Sequence, residues 1–298
     1  MSTKEELYKK YPWLEVTTTM VDYVKPSYYD KIIKEYEYKG KSDLDYTIDF
    51  LKDQTRKDLS VVEFGAGTGR GTKLIMENID FDKLTLVDLS PQMMETLKEL
   101  FSKDSRVQFA QSDHLNFMES TEDVFDLMVT LWSLSHSIHQ HFGRNKGDDT
   151  KIVQILKKFF TNNISKEGKA FIIHFDTLSD EQRILTKQWA KVYPTFADYY
   201  HNKIQSPSKQ IVDKVLNQLN ESNTISYNCE HIIGDEIIYK DMNEALEVFM
   251  NFHLESHFNQ LDIVEEVVED LTNELNKYKD EDGTIRVKPG FFLYTITR

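Results

Sequence analysis

Val61-Val62-Glu63-Phe64-Gly65-Ala66-Gly67-Thr68-Gly69-Arg70-Gly71-Thr72 is the stretch on which the reading of this sequence turns. A β-branched, apolar run reaches an acidic residue, breaks into a glycine-rich turn, and continues as a helix-like segment from Thr72 to Asn78. Strand, tight turn and helix in that order form the nucleotide-site geometry of an open α/β sheet. Glycine suits the turn because it lacks Cβ: the backbone can take positive φ and a ligand can approach closely.

The spacing of the glycines narrows the ligand. A dinucleotide fingerprint is G-x-G-x-x-G, and counting from Gly65 its last position falls on Arg70. The sequence reads G-x-G-x-G instead, with Glu63 two residues ahead of the first glycine. This pattern resembles the first motif of class I S-adenosylmethionine (SAM)-dependent methyltransferases. SAM carries a sulfonium, an ammonium and no phosphate, so an acid such as Glu63 fits better beside it than beside a pyrophosphate. Another nucleotide, or a plain strand-turn-helix connection, remains the alternative at this stage.

Outward from the turn, strands and helices alternate. Strands are expected at about Ser60–Phe64, Leu84–Asp88, Val107–Ala110, Phe125–Trp132 and Ala170–Phe175, with helices at 72–79, 91–102 and 150–162. Ser90 is placed to cap the helix that Pro91 begins. Such alternation implies a parallel sheet covered on both faces. With the resemblance, the expected fold is a Rossmann-like, seven-stranded methyltransferase sheet, mostly parallel with an antiparallel last strand, carrying N-terminal cap helices and helical insertions.

Further positions extend the resemblance, which covers roughly residues 55–176. Asp88 ends the second strand, where an acid accepts both ribose hydroxyls. In the resemblance Leu89 follows it as a further cofactor contact, and Met93 and Met94 would flank the adenine. Asp113, with His114 beside it, ends the third strand, where the family holds the adenine amino group. Leu131, Trp132 and Ser133 end the fourth, where the acceptor meets the methyl donor. The resemblance therefore implies cofactor contacts from Glu63, Gly65, Gly67, Gly69, Asp88, Leu89, Met93, Asp113, His114 and Leu131, and acceptor contacts from Tyr29, Trp132, Ser133 and His136.

Residues 1–55 read as a helical cap. Tyr23, Tyr28, Tyr29, Ile32, Ile33 and Tyr36 recur at helical spacing after Pro26, and a second helix is expected over Leu44–Leu51. In methyltransferases of this type, such helices cover the cofactor and help to shape the acceptor pocket; ordinary helix packing explains the same tyrosines. Residues 56–176 form the expected SAM-binding core, and 177–298 the acceptor-shaping helices and final strands of a single domain. Within this last region, helices are expected at Glu181–Tyr193, Ser208–Leu219, Met242–His257 and Asp262–Tyr278, and strands at Thr224–Ile232, with continuation toward Tyr239, and Phe291–Thr297. The layout is similar to that of histamine N-methyltransferase, through Tyr227-Asn228-Cys229, Leu246–Phe252 and the Lys279–Gly283 turn. It departs from that family at Trp132, where the family has an amide, and at Lys288-Pro289-Gly290, where it has paired asparagines.

The histidines allow several readings. His136, His139 and His141 cluster after the fourth strand, and His136 is a candidate base toward a hydroxyl or ammonium acceptor, as is Tyr28. His253-Leu254-Glu255-Ser256-His257 places its Glu one position too late for a zincin motif, so no metal is expected. Composition bounds the partners. A net charge of −14 over 298 residues argues against nucleic acid and suits a small or cationic acceptor. Cys229 is the lone cysteine, so no internal disulfide can form. The polar N-terminus and the absence of a long apolar run make a cytoplasmic, membrane-free protein, monomer or homodimer, the expectation.

Overall fold

A computed structural model describes residues 3–15 and 26–298; Tyr23 lies outside them. The chain divides into two compact units. A sheet unit comprises Lys41–Asp176, Gln205–Ile232 and Phe291–Arg298, and a helical unit comprises Met1–Gly40, Thr177–Ile204 and Ile233–Gly290. Among the described residues, no helix is long and apolar enough to cross a membrane.

The sheet unit is built on strands β1 (Leu59–Phe64), β2 (Phe81–Asp88), β3 (Val107–Gln111), β4 (Phe125–Leu131), β5 (Ile164–Phe175) and β6 (Ser226–Ile233). In the helical unit, β7 (Ile237–Tyr239) pairs antiparallel with β8 (Ile285–Val287) as a separate ribbon. The last strand, β9 (Gly290–Thr297), returns to the main sheet. That sheet has seven strands in the order β3-β2-β1-β4-β5-β9-β6. β1 pairs in parallel with β2 and β4, β2 with β3, and β4 with β5, whereas β9 runs antiparallel to β5. This is the expected Rossmann-like methyltransferase sheet. Reversal of strand order between β1 and β4 opens a crevice at the carboxyl edge, where ligands of such sheets sit.

Local chemistry accounts for the elements around that edge. Val61, Val62 and Phe64 are fully buried, because a parallel strand is covered on both faces. Pro91 starts the helix Pro91–Phe101, and Ser90 Oγ accepts the Met93 N–H at 3.3 Å as its cap. The helix Asp43–Lys52 begins with a capping box: Ser42 Oγ accepts the Asp45 N–H, and Asp45 Oδ2 accepts the Ser42 N–H. Apolar faces of the helices Thr150–Lys158 and Pro207–Glu221 close the core through Ile152, Ile155, Ile211, Val215 and Leu216.

Several boundaries differ from those expected. Two helices at the carboxyl edge, His114–Ser120 and Leu134–Arg144, are absent from the sequence-based assignment. β5 starts six residues earlier than expected, at Ile164 rather than Ala170, across the polar stretch Ser165-Lys166-Glu167. The segment after Ile232 does not continue to Tyr239 as one strand; it breaks at Gly234-Asp235 and resumes as β7. Met242–His257 is no uniform helix either: an α-helix ends at Val248 and a π-helix spans Phe249–His253.

One polar cluster fixes the first helix of the sheet unit to the carboxyl edge. Asp43 Oδ1 accepts from the Arg70 guanidinium at 2.7 Å, and its Oδ2 accepts from Trp132 Nε1 at 2.9 Å. Asp43 is 2% exposed, so both donors meet its carboxylate away from water. Replacing Asp43 with Ala removes the shared acceptor of a partly buried guanidinium and a buried indole N–H. This should cost on the order of 3 kcal/mol in urea unfolding; a loss below about 1 kcal/mol, the range of an exposed pair, would show that the cluster does not hold the helix.

Candidate functional site

The glycine turn lies between β1 and the helix Arg70–Asn78, and its shape follows from three left-handed residues. Gly65, Gly67 and Gly69 have φ of +68°, +52° and +82°. A Cβ on Gly65 would fall 2.1 Å from Ser133 Oγ, so the turn presses directly on the end of β4. A Cβ on Gly67 would meet only the Gly65 carbonyl oxygen, at 3.8 Å. Backbone N–H groups and open space at Gly67 are what a closely approaching ligand requires.

Asp88 closes the turn from the neighbouring strand. Its Oδ2 accepts the Gly67 N–H at 2.8 Å and its Oδ1 accepts the Ser90 N–H at 2.9 Å. With the Leu89 N–H also directed at it, the carboxylate keeps part of its four-site acceptor capacity for an outside donor. Burial raises the carboxyl above its ordinary range, while the N–H groups of Ser90, Gly67 and Leu89 oppose the rise. Leu89 is 41% exposed next to this acid, an apolar side chain held open at the carboxyl edge, whereas Met93 is buried in the helix behind it.

Glu63 lies beneath the turn. It is 2% exposed, and its Oε2 accepts the Thr72 hydroxyl at 2.6 Å. Gly71 is required there, because a Cβ would fall 2.4 Å from Glu63 Oε1. Burial, with a smaller contribution from the Asp88 carboxylate, pushes the Glu63 carboxyl up to about 8 against the Thr72 hydrogen bond.

At the end of β3, Asp113 caps the helix His114–Ser120, accepting the Asn116 N–H at 3.2 Å, and lies 2.9 Å from His141 Nε2. Burial would raise this carboxyl, but hydrogen bonds from His141, Ser137 and the Asn116 N–H prevail and hold it at about 2. His114 is 6% exposed, packs on Phe64 with ring centroids 5.4 Å apart, and has a buried Nδ1 without a hydrogen-bond partner. Burial lowers its pKa to about 4, leaving a neutral imidazole beside Gly65. A buried polar atom without a partner, next to a turn that only glycine can form, matches a site that a polar ligand completes.

At the end of β4, Trp132 has φ +66°, a strained conformation for a bulky residue. Its ring packs between Phe175 and Phe291, with centroids 5.1 and 5.4 Å away. Ser133 Oγ donates to the Phe64 carbonyl and lies 3.0 Å from Thr130 Oγ1. Leu131 is half-buried beside Gly71. His136 stands on the helix Leu134–Arg144 with an exposed surface and its ring edge against Phe175. Surrounding atoms crowd it closely, and that desolvation lowers its pKa, keeping the ring neutral and accessible. His139 and His174 lie nearby, lowered by burial to about 3 and about 4.

The structure thus gathers Glu63, the three glycines, Asp88, Leu89, Asp113, His114, Leu131, Trp132, Ser133 and His136 around the carboxyl edge of one sheet. Tyr28 and Tyr29 belong to the helical unit, on the helix Pro26–Ile33. Burial, followed by the Glu247 carboxylate, pushes the Tyr28 phenol up to about 12, so it stays protonated at neutral pH. Four partners have no counterpart in the sequence reading: Asp43 and Arg70 behind Trp132, Thr72 on Glu63, and His141 on Asp113. Arg70 and Thr72 stood in the glycine stretch and His141 in the histidine cluster, without their partners being legible, and Asp43 carried no signal.

The Glu63 carboxyl predicts a pH dependence of stability. The folded protein holds this proton up to about 8, and the unfolded chain releases it near the ordinary value of 4.5. Between those values the folded state binds more protons, so the contribution of Glu63 is complete below the lower value and is lost as pH rises through the upper one. In ligand-free protein, Glu63→Gln should therefore gain stability relative to wild type as pH rises from 5 to 9, followed by urea midpoints. Parallel profiles would show that Glu63 is not held protonated.

Residues 61–144 match the family described as a methyltransferase domain. Malonyl-[acyl-carrier protein] O-methyltransferase of Acetivibrio thermocellus is 30% identical over 112 residues, covering 37% of this chain and 36% of that protein. The protein of the same name from a Paenibacillus species is 32% identical over 152 residues, covering 50% and 47%. The chain thus spans less than half the length of these curated relatives. Two solved structures share the fold at 12% identity: the YcgJ protein of Bacillus subtilis, with a TM-score of 0.52 over 85% of this chain and 98% of that one, and a putative methyltransferase of Bacillus halodurans C-125, with 0.50 over 86% and 98%. With the seven-stranded sheet and the glycine turn closed by Asp88, residues 61–144 are a class I SAM-dependent methyltransferase domain.

Proposed function

We propose that this chain transfers the sulfonium methyl of SAM to a small-molecule acceptor, with nitrogen favoured over oxygen as the atom methylated. The observation that carries the reading is the hydrogen bond from Gly67 to Asp88, which sets a glycine backbone and a carboxylate with spare lone pairs on one concave edge. When bound, SAM supplies a methyl group already activated by its cationic sulfur.

The chain's own groups then have separable tasks. Asp88 receives the ribose hydroxyls on the acceptor capacity that the Gly67, Ser90 and Leu89 N–H groups leave open. His114 Nδ1 gains a partner in the same site, and Leu89 and Leu131 offer apolar surface to the base, with Met93 packed behind Asp88. Gly65, Gly67 and Gly69 keep the approach clear. Asp113 holds the helix on which His114 sits. Trp132 and Ser133, at the end of β4, are the proposed acceptor contacts of the sheet unit. Positioning of the acceptor in line with the activated methyl supplies most of the acceleration. An ammonium acceptor must first lose a proton to free its lone pair, and His136, neutral and accessible, is the proposed recipient. The chain's acidity supports a cationic acceptor. Oxygen is the second reading, favoured by the O-methyltransferase names of the curated relatives.

Asp88→Ala should weaken S-adenosylhomocysteine binding roughly 100-fold in calorimetry, about the value of two hydrogen bonds to a charged acceptor, with the fold retained. Unchanged affinity would remove Asp88 from the ribose role. Gly67→Val should abolish binding, because its methyls would occupy the approach; retained affinity would mean that the turn is not the cofactor site. An acceptor screen by product release then tests turnover. Methylation of an amine supports the reading, methylation of an oxygen moves it to the second, and binding without small-molecule turnover moves it to a protein side chain or a non-catalytic role.

A further inference from the structure

One buried carboxylate ties the glycine turn to the end of β4. Asp43 opens the helix Asp43–Lys52 and receives three donors. Its Oδ1 accepts the Leu44 N–H at 2.9 Å and the Arg70 guanidinium at 2.7 Å, and its Oδ2 accepts Trp132 Nε1 at 2.9 Å. All four residues belong to the sheet unit. Apolar packing also seats this helix: Phe50 lies on Phe171 with ring centroids 4.7 Å apart, Tyr46 meets Phe291 at 5.6 Å, and Leu51 is fully buried. An apolar side chain at position 43 would fill such a place with less penalty than an ion pair taken out of water, so the fold alone does not account for the carboxylate.

Its two side-chain donors stand on either side of the cofactor crevice. Arg70 follows Gly69 directly and begins the helix behind the turn. Trp132 stands between Leu131 and Ser133, both of which reach the turn: Leu131 Cδ1 would lie 3.4 Å from a Cβ on Gly71, and Ser133 Oγ 2.1 Å from one on Gly65. Trp132 itself has φ +66°, with its N–H donating to the Ile173 carbonyl at 3.0 Å. A bulky residue keeps such a backbone only where its surroundings over-determine it, and the bond to Asp43 is one of those constraints.

Charge gives the carboxylate a second task. Arg70 is the sole Lys or Arg in the Val61–Thr72 stretch. SAM carries a sulfonium, so a guanidinium beside the turn has the wrong sign for it. Glu63 does not compensate, because burial holds its carboxyl toward the neutral form. Asp43 does, at 2.7 Å from the guanidinium. We propose that Asp43 is a positioning residue for the cofactor: it holds the glycine turn to the end of β4 and offsets the charge of Arg70, so that the crevice accepts a sulfonium. The proposal rests on the assignment of the turn to SAM and adds to it a residue outside the motif, 20 positions before Glu63.

Calorimetry of the full chain with SAM, and with S-adenosylhomocysteine, which lacks the sulfonium charge, yields an affinity ratio that a general loss of structure would not move. Asp43→Asn keeps an oxygen for the Trp132 N–H and removes one negative charge. It should lower SAM affinity about fivefold more than S-adenosylhomocysteine affinity, the size of one unit charge acting across a partly solvated crevice. Arg70→Met should move the ratio the other way, toward SAM, and the double variant should return it near the wild-type value. High salt should shrink both shifts. Arg70→Met decides the matter if Asp43→Asn does not fold. Wild-type ratios in the single variants, or shifts of the same sign in both, overturn the proposal while leaving the cofactor assignment intact. Failure of wild type to bind either ligand strikes the assignment and the proposal together.

Discussion

The hydrogen bond between the Gly67 N–H and the Asp88 carboxylate ties the most permissive backbone in the chain to the end of a rigid strand. Without it, a turn of three left-handed glycines would gain conformational freedom and lose its aim. With it, the turn is held on Asp88 on one side and abuts Ser133 on the other, so that the ends of β1, β2 and β4 form one edge. The sheet supplies the rigidity. Its strands are covered on both faces, and Asp88 gains its position from β2 rather than from a loop.

That edge carries groups whose ordinary charge states are altered by burial. Glu63 is pushed toward its neutral form, and His114, His136, His139 and His174 toward theirs, whereas Asp113 stays ionised through its hydrogen bonds. A site lined by neutral imidazoles and a protonated carboxyl imposes little fixed charge on a cationic cofactor, leaving Asp88 as the directional contact. In the helical unit the pattern is different. There Tyr36 and Gln182 both donate to the Glu181 carboxylate, and His253 Nε2 lies 2.8 Å from the Tyr36 phenol oxygen.

Much of the sheet could be read directly from residues. The Val61–Thr72 stretch, Asp88 before Ser90-Pro91, and the alternation of apolar runs give strand, turn and helix through local physics alone. Elements whose stability comes from tertiary contacts escaped. β5 begins across Ser165-Lys166-Glu167, polar residues that join a strand because β4 and β9 pair with it, while Glu167 takes φ +65°. Helical spacing from Met242 onward predicted one regular helix, yet the segment passes into a π-helix that places His253 against Tyr36. Trp132 drew notice as a departure from the family amide. Its left-handed backbone and its bond to Asp43, 89 positions away, could not be read from any local pattern.

The central claim is that the turn at residues 61–72 is a SAM site. Calorimetric titration of the wild-type chain with SAM, and separately with S-adenosylhomocysteine, tests it most directly. The account predicts saturable binding of both at one site per chain. Absence of heat and of any thermal stabilisation with either ligand would contradict it, because a turn shaped by Gly65, Gly67 and Gly69 and closed by Asp88 would then have no cofactor to hold.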